Sequence, residues 1–349
     1  MSNITKGSEL SVMNTNNDTE QDISFASQWQ LMWMRFRRHK LALVGGIILL
    51  FLYTIAGFCE FISPYLPDQR NADYVLTPPQ EVRFFDSEGT FHLRPFVYEL
   101  IEDKSAGEWE RAYTEDTKTK HPLFLFAQGP SYRMWGIFKT NAHLFGTQSK
   151  APLFLFGTDD LGRDLFTRIC YGARISLTIG LIGVALTFFI GILFGGIAGY
   201  YSGWLDVIIQ RAIEILMAIP QLPLWMALSA ALPAHWPPLR VYFGVTLILS
   251  LMGWTGLARV VRGRFLSLRD EDFVVAARVS GTSETKIIFV HLLPSFLSHI
   301  ITSATLAVPG MILGETALSF LGIGLRAPVV SWGVLLQKAQ NFQAVAMAP

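Results

Sequence analysis

Five apolar runs, at 41–62, 175–198, 213–232, 241–258 and 294–316, constrain this chain more than any other feature. A helix needs about 20 apolar residues to cross a bilayer core, and only helices or closed barrels satisfy their backbone polar groups there. The runs therefore predict an all-α polytopic membrane protein. Of the 349 residues only 16% are charged, where a soluble domain carries about a quarter, so much of the surface is expected to face lipid. A net charge of +1 gives no reason to expect a nucleic-acid partner. Cys59 and Cys170 are too few for a disulfide framework. Free packed thiols and a single bridge on the outer side both stay open.

The order of segments predicts a topology. Residues 1–24 are polar and expected to be disordered. Phe25, Trp29, Met32, Trp33 and Phe36 share one helical face, and Arg35, Arg37, Arg38 and Lys40 accompany it. Residues 25–62 thus read as an interfacial helix plus the first span; a plain extension of that span is the alternative. The run 41–62 exceeds the roughly 7–15 residues of a signal-peptide core and has no small-residue cleavage site, so it reads as a retained anchor. The basic cluster before it places the N-terminus in the cytoplasm. Residues 63–156 mix charges, prolines and aromatics, and are too long for a bare loop. They predict a small extracytoplasmic subdomain, α+β or irregular, with short strands hinted near Val82–Phe85 and Phe91–Val97. The polar stretch 259–286 carries Arg259, Arg262, Arg264, Arg269, Arg278 and Lys286 and falls on the cytoplasmic side, as the positive-inside rule expects. Arg163, Arg168 and Arg174 stand against that rule at the outer end of the second span; long translocated regions tolerate such charge. Leu161, Leu165, Ile169 and Gly172 share a face there and suggest an outer interfacial helix.

The chain has no G-x-x-x-x-G-K-[ST] phosphate loop, no H-E-x-x-H zinc pair and no G-x-S-x-G elbow. The most informative polar segment is 268–281. Asp270, Glu271 and Asp272 suit the positive end of a helix, and Gly281 suits its left-handed cap. Phe273, Ala276, Ala277 and Ser280 then share a small, shallow face with one aromatic anchor. Such a face fits a groove on another protein; an ordinary amphipathic loop helix without a partner is the other reading. Gly191, Gly195 and Gly199 recur every four residues, the spacing that lets helices approach closely in lipid. Glu315 is an ionisable group at membrane depth, so it is a candidate for the translocation pathway or else pairs with a donor inside the bundle. Arg211 and Glu214 are spaced to pair on one helix face. Pro220 and Pro223 predict a kink in the third span. Residues 157–164 lack the spacing of a calcium loop; Thr158 or Asp159 is expected to cap a helix instead.

Three passages carry a family resemblance. The first is Phe156-Gly-Thr-Asp-Asp-Leu-Gly-Arg-Asp-Leu-Phe-Thr-Arg168, followed by Tyr171-Gly-Ala-Arg-Ile-Ser-Leu177. The second is Ala276-Ala277, then Gly281, then Leu293-Pro294, similar to an "EAA" loop. The third is Leu313-Gly-Glu-Thr-Ala-Leu-Ser-Phe-Leu-Gly-Ile-Gly324 with Ser331-Trp332-Gly333. From Phe156 onward the chain resembles the permease subunits of peptide-type (dipeptide/oligopeptide) ABC importers. That resemblance implies a type I ABC importer transmembrane fold over 157–349, in a bacterial inner membrane. It implies half of a pathway for peptides or related small solutes brought by a periplasmic binding protein. The expected partners are a second homologous permease, two ATPase subunits that hold ATP and Mg, and membrane lipids; no cofactor is expected on this chain. It also implies that Asp272, Phe273, Ala276, Ala277, Arg278, Ser280 and Gly281 belong to a coupling helix, so Phe273→Asp with Ala277→Arg is expected to uncouple transport. Two departures stand out. Val275 replaces the family's usual glutamate, with Asp272 one turn earlier as a substitute. A sixth span is missing after Ala348-Pro349, which resembles the start of the step before it and leads us to expect a truncated chain. A secondary transporter or channel subunit is the competing reading, and would need several membrane-depth ionisable groups; only Glu315 offers itself. A membrane enzyme lacks its motifs.

Overall fold

The computed structural model describes residues 33, 36–103, 112–147, 152–233 and 235–340. The polar tail, most of the expected interfacial helix and the Ala348-Pro349 step lie outside these residues. The chain divides into two compact units, Met1–Thr54 and Ile55–Pro349. In the first, the Trp33 and Phe36 rings stack 5.7 Å apart. Helix α1 (Lys40–Gly57) starts in this unit, and its last turn belongs to the second. Leu41, Ile47, Leu50 and Phe51 along α1 are exposed, as side chains meant for lipid are. The run expected to 62 ends five residues earlier: the backbone breaks at Phe58 and resumes as the one-turn helix α2 (Cys59–Ile62).

The second unit contains helices α3 (Leu165–Tyr201), α4 (Gly203–Ala218), α5 (Gln221–Ala230), α6 (Pro238–Leu268), α7 (Asp272–Val279), α8 (Leu297–Phe320) and α9 (Trp332–Ala339). Among the described residues, α1, α3, α6 and α8 are each long and apolar enough to cross a membrane, and α4 with α5 makes a fifth crossing if the bent pair counts as one. The third span is therefore not a straight 213–232 helix. It turns by 89° between α4 and α5, where Ile219 is extended and Pro220 has no N–H to continue the ladder. Pro223 falls in the first turn of α5, where proline is tolerated, so only Pro220 makes the kink. Helix α6 continues ten residues past 258, so Arg259, Arg262 and Arg264 stand on a helix and not in a loop. The fifth run starts late: 287–292 form a wide π turn, the backbone breaks at Phe296, and α8 begins at Leu297.

Small residues bring α3 and α6 together. A Cβ at Gly195 would lie 2.5 Å from the Ala258 carbonyl oxygen, and one at Gly199 would lie 2.6 Å from the Phe265 Cβ. At Gly191 it would meet Leu257 at 2.9 Å. The predicted glycine face is thus spent on packing within this chain. Arg211 and Glu214 pair as expected, at 2.6 Å on the exposed side of α4.

Residues 63–156 correct the expected "α+β or irregular" subdomain. They build a four-stranded antiparallel sheet, β1 (Arg83–Phe85), β2 (Phe91–Asp103), β3 (Ala112–Met134) and β4 (Phe138–Thr147), in simple sequence order. Strand β3 is 23 residues long because it changes partner: its first half pairs with β2 and its second half with β4. A bulge between Gln128 and Tyr132 bends the second half.

The sheet joins the bundle through 157–164. Asp159 accepts from the Leu161 and Arg163 amides at 2.9 and 3.0 Å and from Arg163 Nη2 at 2.6 Å. Burial opposes its ionisation, but the Arg163 side chain and these amides outweigh burial and hold its carboxyl below the usual range. The cap of α3 is Asp164, which accepts from the Thr167 amide at 2.8 Å. Thr158 and Asp159 therefore do not cap, and Leu161 lies outside the helix that carries Leu165, Ile169 and Gly172. No separate interfacial helix exists there; α3 is continuous.

The three arginines that offended the charge rule are all answered locally. Arg163 pairs with Asp159, Arg168 is 1% exposed and donates to the Pro67 carbonyl, and Arg174 binds Glu60 and the carbonyls of Ala56 and Gly57. Cys59 and Cys170 are free and buried, and burial pushes the Cys59 thiol up to about 12. Asp159→Asn would leave two buried guanidinium groups short of a counter-charge. Breaking a buried pair costs about 3–5 kcal/mol, so the detergent-solubilised variant should melt well below wild type, while Asp160→Asn, at a half-exposed carboxylate, should melt close to it. Equal melting of the two variants would refute this account of the junction.

Candidate functional site

Helix α3 spans 37 residues, about 55 Å at 1.5 Å per residue. Its first turn is tied to the sheet junction through Asp164. At its other end the Tyr201 hydroxyl donates to Glu284 at 3.0 Å, and just beyond, Arg262 of α6 clasps Asp206 of α4 at 2.5 and 2.6 Å. The sheet and α7 thus stand at opposite ends of the longest helix.

Helix α7 is short and well delimited. Asp270, Glu271 and Asp272 crowd its positive end. At the other end Gly281 has φ +77°, and the Thr282 and Gly281 amides donate to the Ala277 and Arg278 carbonyls at 3.1 and 3.0 Å. This double bond pattern is a Schellman cap, as the glycine predicted. Val274 is the fully buried anchor of the helix, set among Val261, Phe265, Ile287 and Leu292. Ala277 packs half-buried against the same cluster. The predicted face of Phe273, Ala276, Ala277 and Ser280 is therefore corrected by one residue. Ala277 turns inward, and Ala277→Arg would drive a guanidinium into the core and report on folding, not docking. Outward stand Asp272, Phe273, Val275, Ala276, Arg278, Val279 and Ser280. Val279, 84% exposed, is the apolar side chain that sequence reasoning missed. Its spacing from Asp272, Val275 and Ala276, at 7, 4 and 3 residues, was the available signal.

Glu315 lies in α8 with no exposed surface. Its carboxylate accepts from Ser331 and Ser319 at 2.7 Å and from Ser176 at 3.1 Å. The Trp332 amide in turn donates to Ser176 Oγ at 3.1 Å. One carboxylate therefore joins α3, α8 and the start of α9. The sequence singled out Glu315 but not these serines, of which Ser176 and Ser331 lie 139 and 16 residues away along the chain and Ser319 lies 4 away. Glu315 lies outside the cleft that opens inside the bundle. That cleft, about 390 Å³, runs between α3, α5, α6 and α8 and presents Thr187, Gln221, His299 and Ser303 among apolar walls. His299 and Ser303 lie four apart on one face of α8 with Ala307 and Met311, whereas Thr187 and Gln221 come from α3 and α5 and share no spacing with them.

Residues 191–348 match the family described as "binding-protein-dependent transport system inner membrane component". Residues 27–79 match the "N-terminal TM domain of oligopeptide transport permease C". The chain is 32% identical over 309 residues to the dipeptide transport system permease protein DppC of Bacillus subtilis, covering 88% of this chain and 72% of that protein. It is 38% identical over 180 residues to the oligopeptide transport system permease protein OppC of the same organism, covering 52% of this chain and 57% of that one. It is 28% identical over 326 residues to the glutathione transport system permease protein GsiD of Pectobacterium atrosepticum, covering 93% and 83%.

Proposed function

We propose, because the chain belongs to the binding-protein-dependent ABC import permeases of the dipeptide and oligopeptide type, that it forms half of a translocation pathway for peptides or related small solutes. A second homologous permease supplies the other half. Two ATPase subunits close on ATP and Mg at the α7 end, and α7 carries their movement into the bundle. A periplasmic binding protein delivers solute at the sheet end. The N-terminus and α7 are cytoplasmic, and the four-stranded sheet is extracytoplasmic.

One observation carries this reading. The helix the sequence offers for docking projects Phe273 and Val279 into solvent while Val274 and Ala277 fasten it to the bundle, at the end of α3 away from the sheet. A solvent-facing apolar pair on so short a helix calls for a partner. The cleft among α3, α5, α6 and α8 is mostly apolar, with few polar groups, which fits a permease that leaves recognition to a separate binding protein. We propose that Glu315 serves as a latch holding α3, α8 and α9 together, since its oxygens are occupied by serines. A secondary transporter then loses the one membrane-depth acid that favoured it.

A photoreactive amino acid placed at position 279 tests the proposal in native membranes. It should capture an ATPase subunit, whereas the same group at Glu88, in the β1–β2 turn, should not. Capture of lipid alone at position 279, or of an ATPase from position 88, would sink the assignment.

A further inference from the structure

The β3–β4 turn carries a surface that the transport reading does not use. Trp135 and Gly136, at its centre, have φ +52° and +75°, the combination a type I′ turn needs. A bulky side chain at positive φ is strained unless something holds it. Here the indole Nε1 donates to the Gly57 carbonyl at 2.7 Å, and the ring sits 5.5 Å from that of Phe58. The next residues point away from all protein: Ile137 is 72% exposed and Phe138 is 60% exposed.

Gly57 fixes the depth of this turn. It is the last residue of the apolar helix α1. Its carbonyl also accepts from Arg174 Nη2 at 3.0 Å, and Arg174 directly precedes the apolar run 175–198. Two independent stretches of sequence thus place the membrane boundary at the level the Trp135 indole reaches. Tryptophan and tyrosine collect at that level because their rings are apolar with one polar edge. Just above the tip, Arg133 and Lys139 face each other across the ladder. Like charges directly opposite repel, and among the described residues neither has an ion-pair partner. Both are exposed. A ring of apolar side chains below a pair of cations is the arrangement that seats in a headgroup layer, with the cations on phosphates.

We propose that the β3–β4 turn is a lipid anchor: Trp135, Ile137 and Phe138 enter the leaflet on the sheet side, and Arg133 with Lys139 binds lipid phosphates. The anchor fixes the depth and tilt of the sheet against the bilayer. It rests on α1 and α3 spanning the membrane, and not on the coupling role of α7.

The test uses the full chain in nanodiscs of phosphatidylcholine, with or without phosphatidylglycerol. Ile137→Cys and, as a control, Glu88→Cys are labelled with a polarity-sensitive thiol dye; the native cysteines are buried. At position 137 a spin-labelled lipid should quench several-fold more than aqueous iodide, with blue-shifted emission. At position 88 the order should reverse. In phosphatidylglycerol discs, Arg133→Glu with Lys139→Glu should lower the lipid quenching at 137. Iodide quenching at 137 equal to that at 88 overturns the anchor in favour of a free turn. Protection from both quenchers overturns it in favour of a protein cover. Unchanged lipid quenching in the charge-reversed variant overturns the phosphate contact. None of these outcomes bears on ATPase docking, so failure here is separable from failure of the transport reading.

Discussion

Replacing Phe273 and Val279 together with aspartate is expected to abolish transport and the stimulation of ATP hydrolysis by loaded binding protein, while the bundle stays folded. Both side chains project from α7 and add nothing to the core that Val274 enters. Truncating an anchor at the centre of an interface costs about 2 kcal/mol or more, and a buried unpaired carboxylate costs further. Two such changes should weaken docking by about 4 kcal/mol, roughly a thousandfold. The readout is ATP hydrolysis in proteoliposomes, set beside the melting temperature of the same preparation. Unchanged stimulation in an assembled double variant would remove α7 from the coupling path. Val274→Asp is the contrasting substitution: it should fail at folding, because it places a charge in the cluster with Val261 and Phe265.

The second large effect concerns the α3–α6 seam. Gly195→Val and Gly199→Val introduce carbon atoms 2.5 Å from a backbone oxygen and 2.6 Å from a Cβ. Neither neighbour is a flexible side-chain end, so the helices themselves must move apart. Overpacking of this kind costs about 1–3 kcal/mol per site, and the two sites lie one turn apart on one face. The double variant should melt far below wild type and lose monodisperse protein on size-exclusion chromatography. Gly263→Ala, where an added Cβ meets nothing within 4 Å, should match wild type. Equal melting temperatures for all three proteins would show that the glycine spacing is incidental.

The spans were legible because hydropathy and length are local properties of a run. The ends of α7 were legible for a similar reason: three acids and a glycine each act on the nearest turn. The phase of α7 was not. Val274 and Val275 are adjacent, alanines fit either face, and only packing against Phe265 and Ile287 decides which valine turns inward. The strands hinted near Val82–Phe85 and Phe91–Val97 are β1 and the start of β2, but β3 and β4 were not legible, because β3 runs through a polar stretch, Tyr113 to Lys120, with no clean alternation, and its partner changes near Leu123. The cap at Asp164 was mistaken for Thr158 or Asp159 because three short polar residues compete there. The choice depends on Arg163 and Arg168 claiming Asp159, a contact the sequence does not display. Glu315 was found by its depth, but its serine partners come from three chain segments.

An unbroken α3 has a mechanical meaning. A helix about 55 Å long that pivots near its middle swings its two ends in opposite directions, and a tilt of about 10° shifts each by about 5 Å. A push at the Tyr201 end therefore arrives at the sheet junction with its sign reversed and without needing any chain of side-chain rearrangements between them. Opening one mouth while shutting the other is then a property of a stiff lever, with its fulcrum near Gly183, where Ser250 of α6 donates to the Gly183 carbonyl at 3.0 Å.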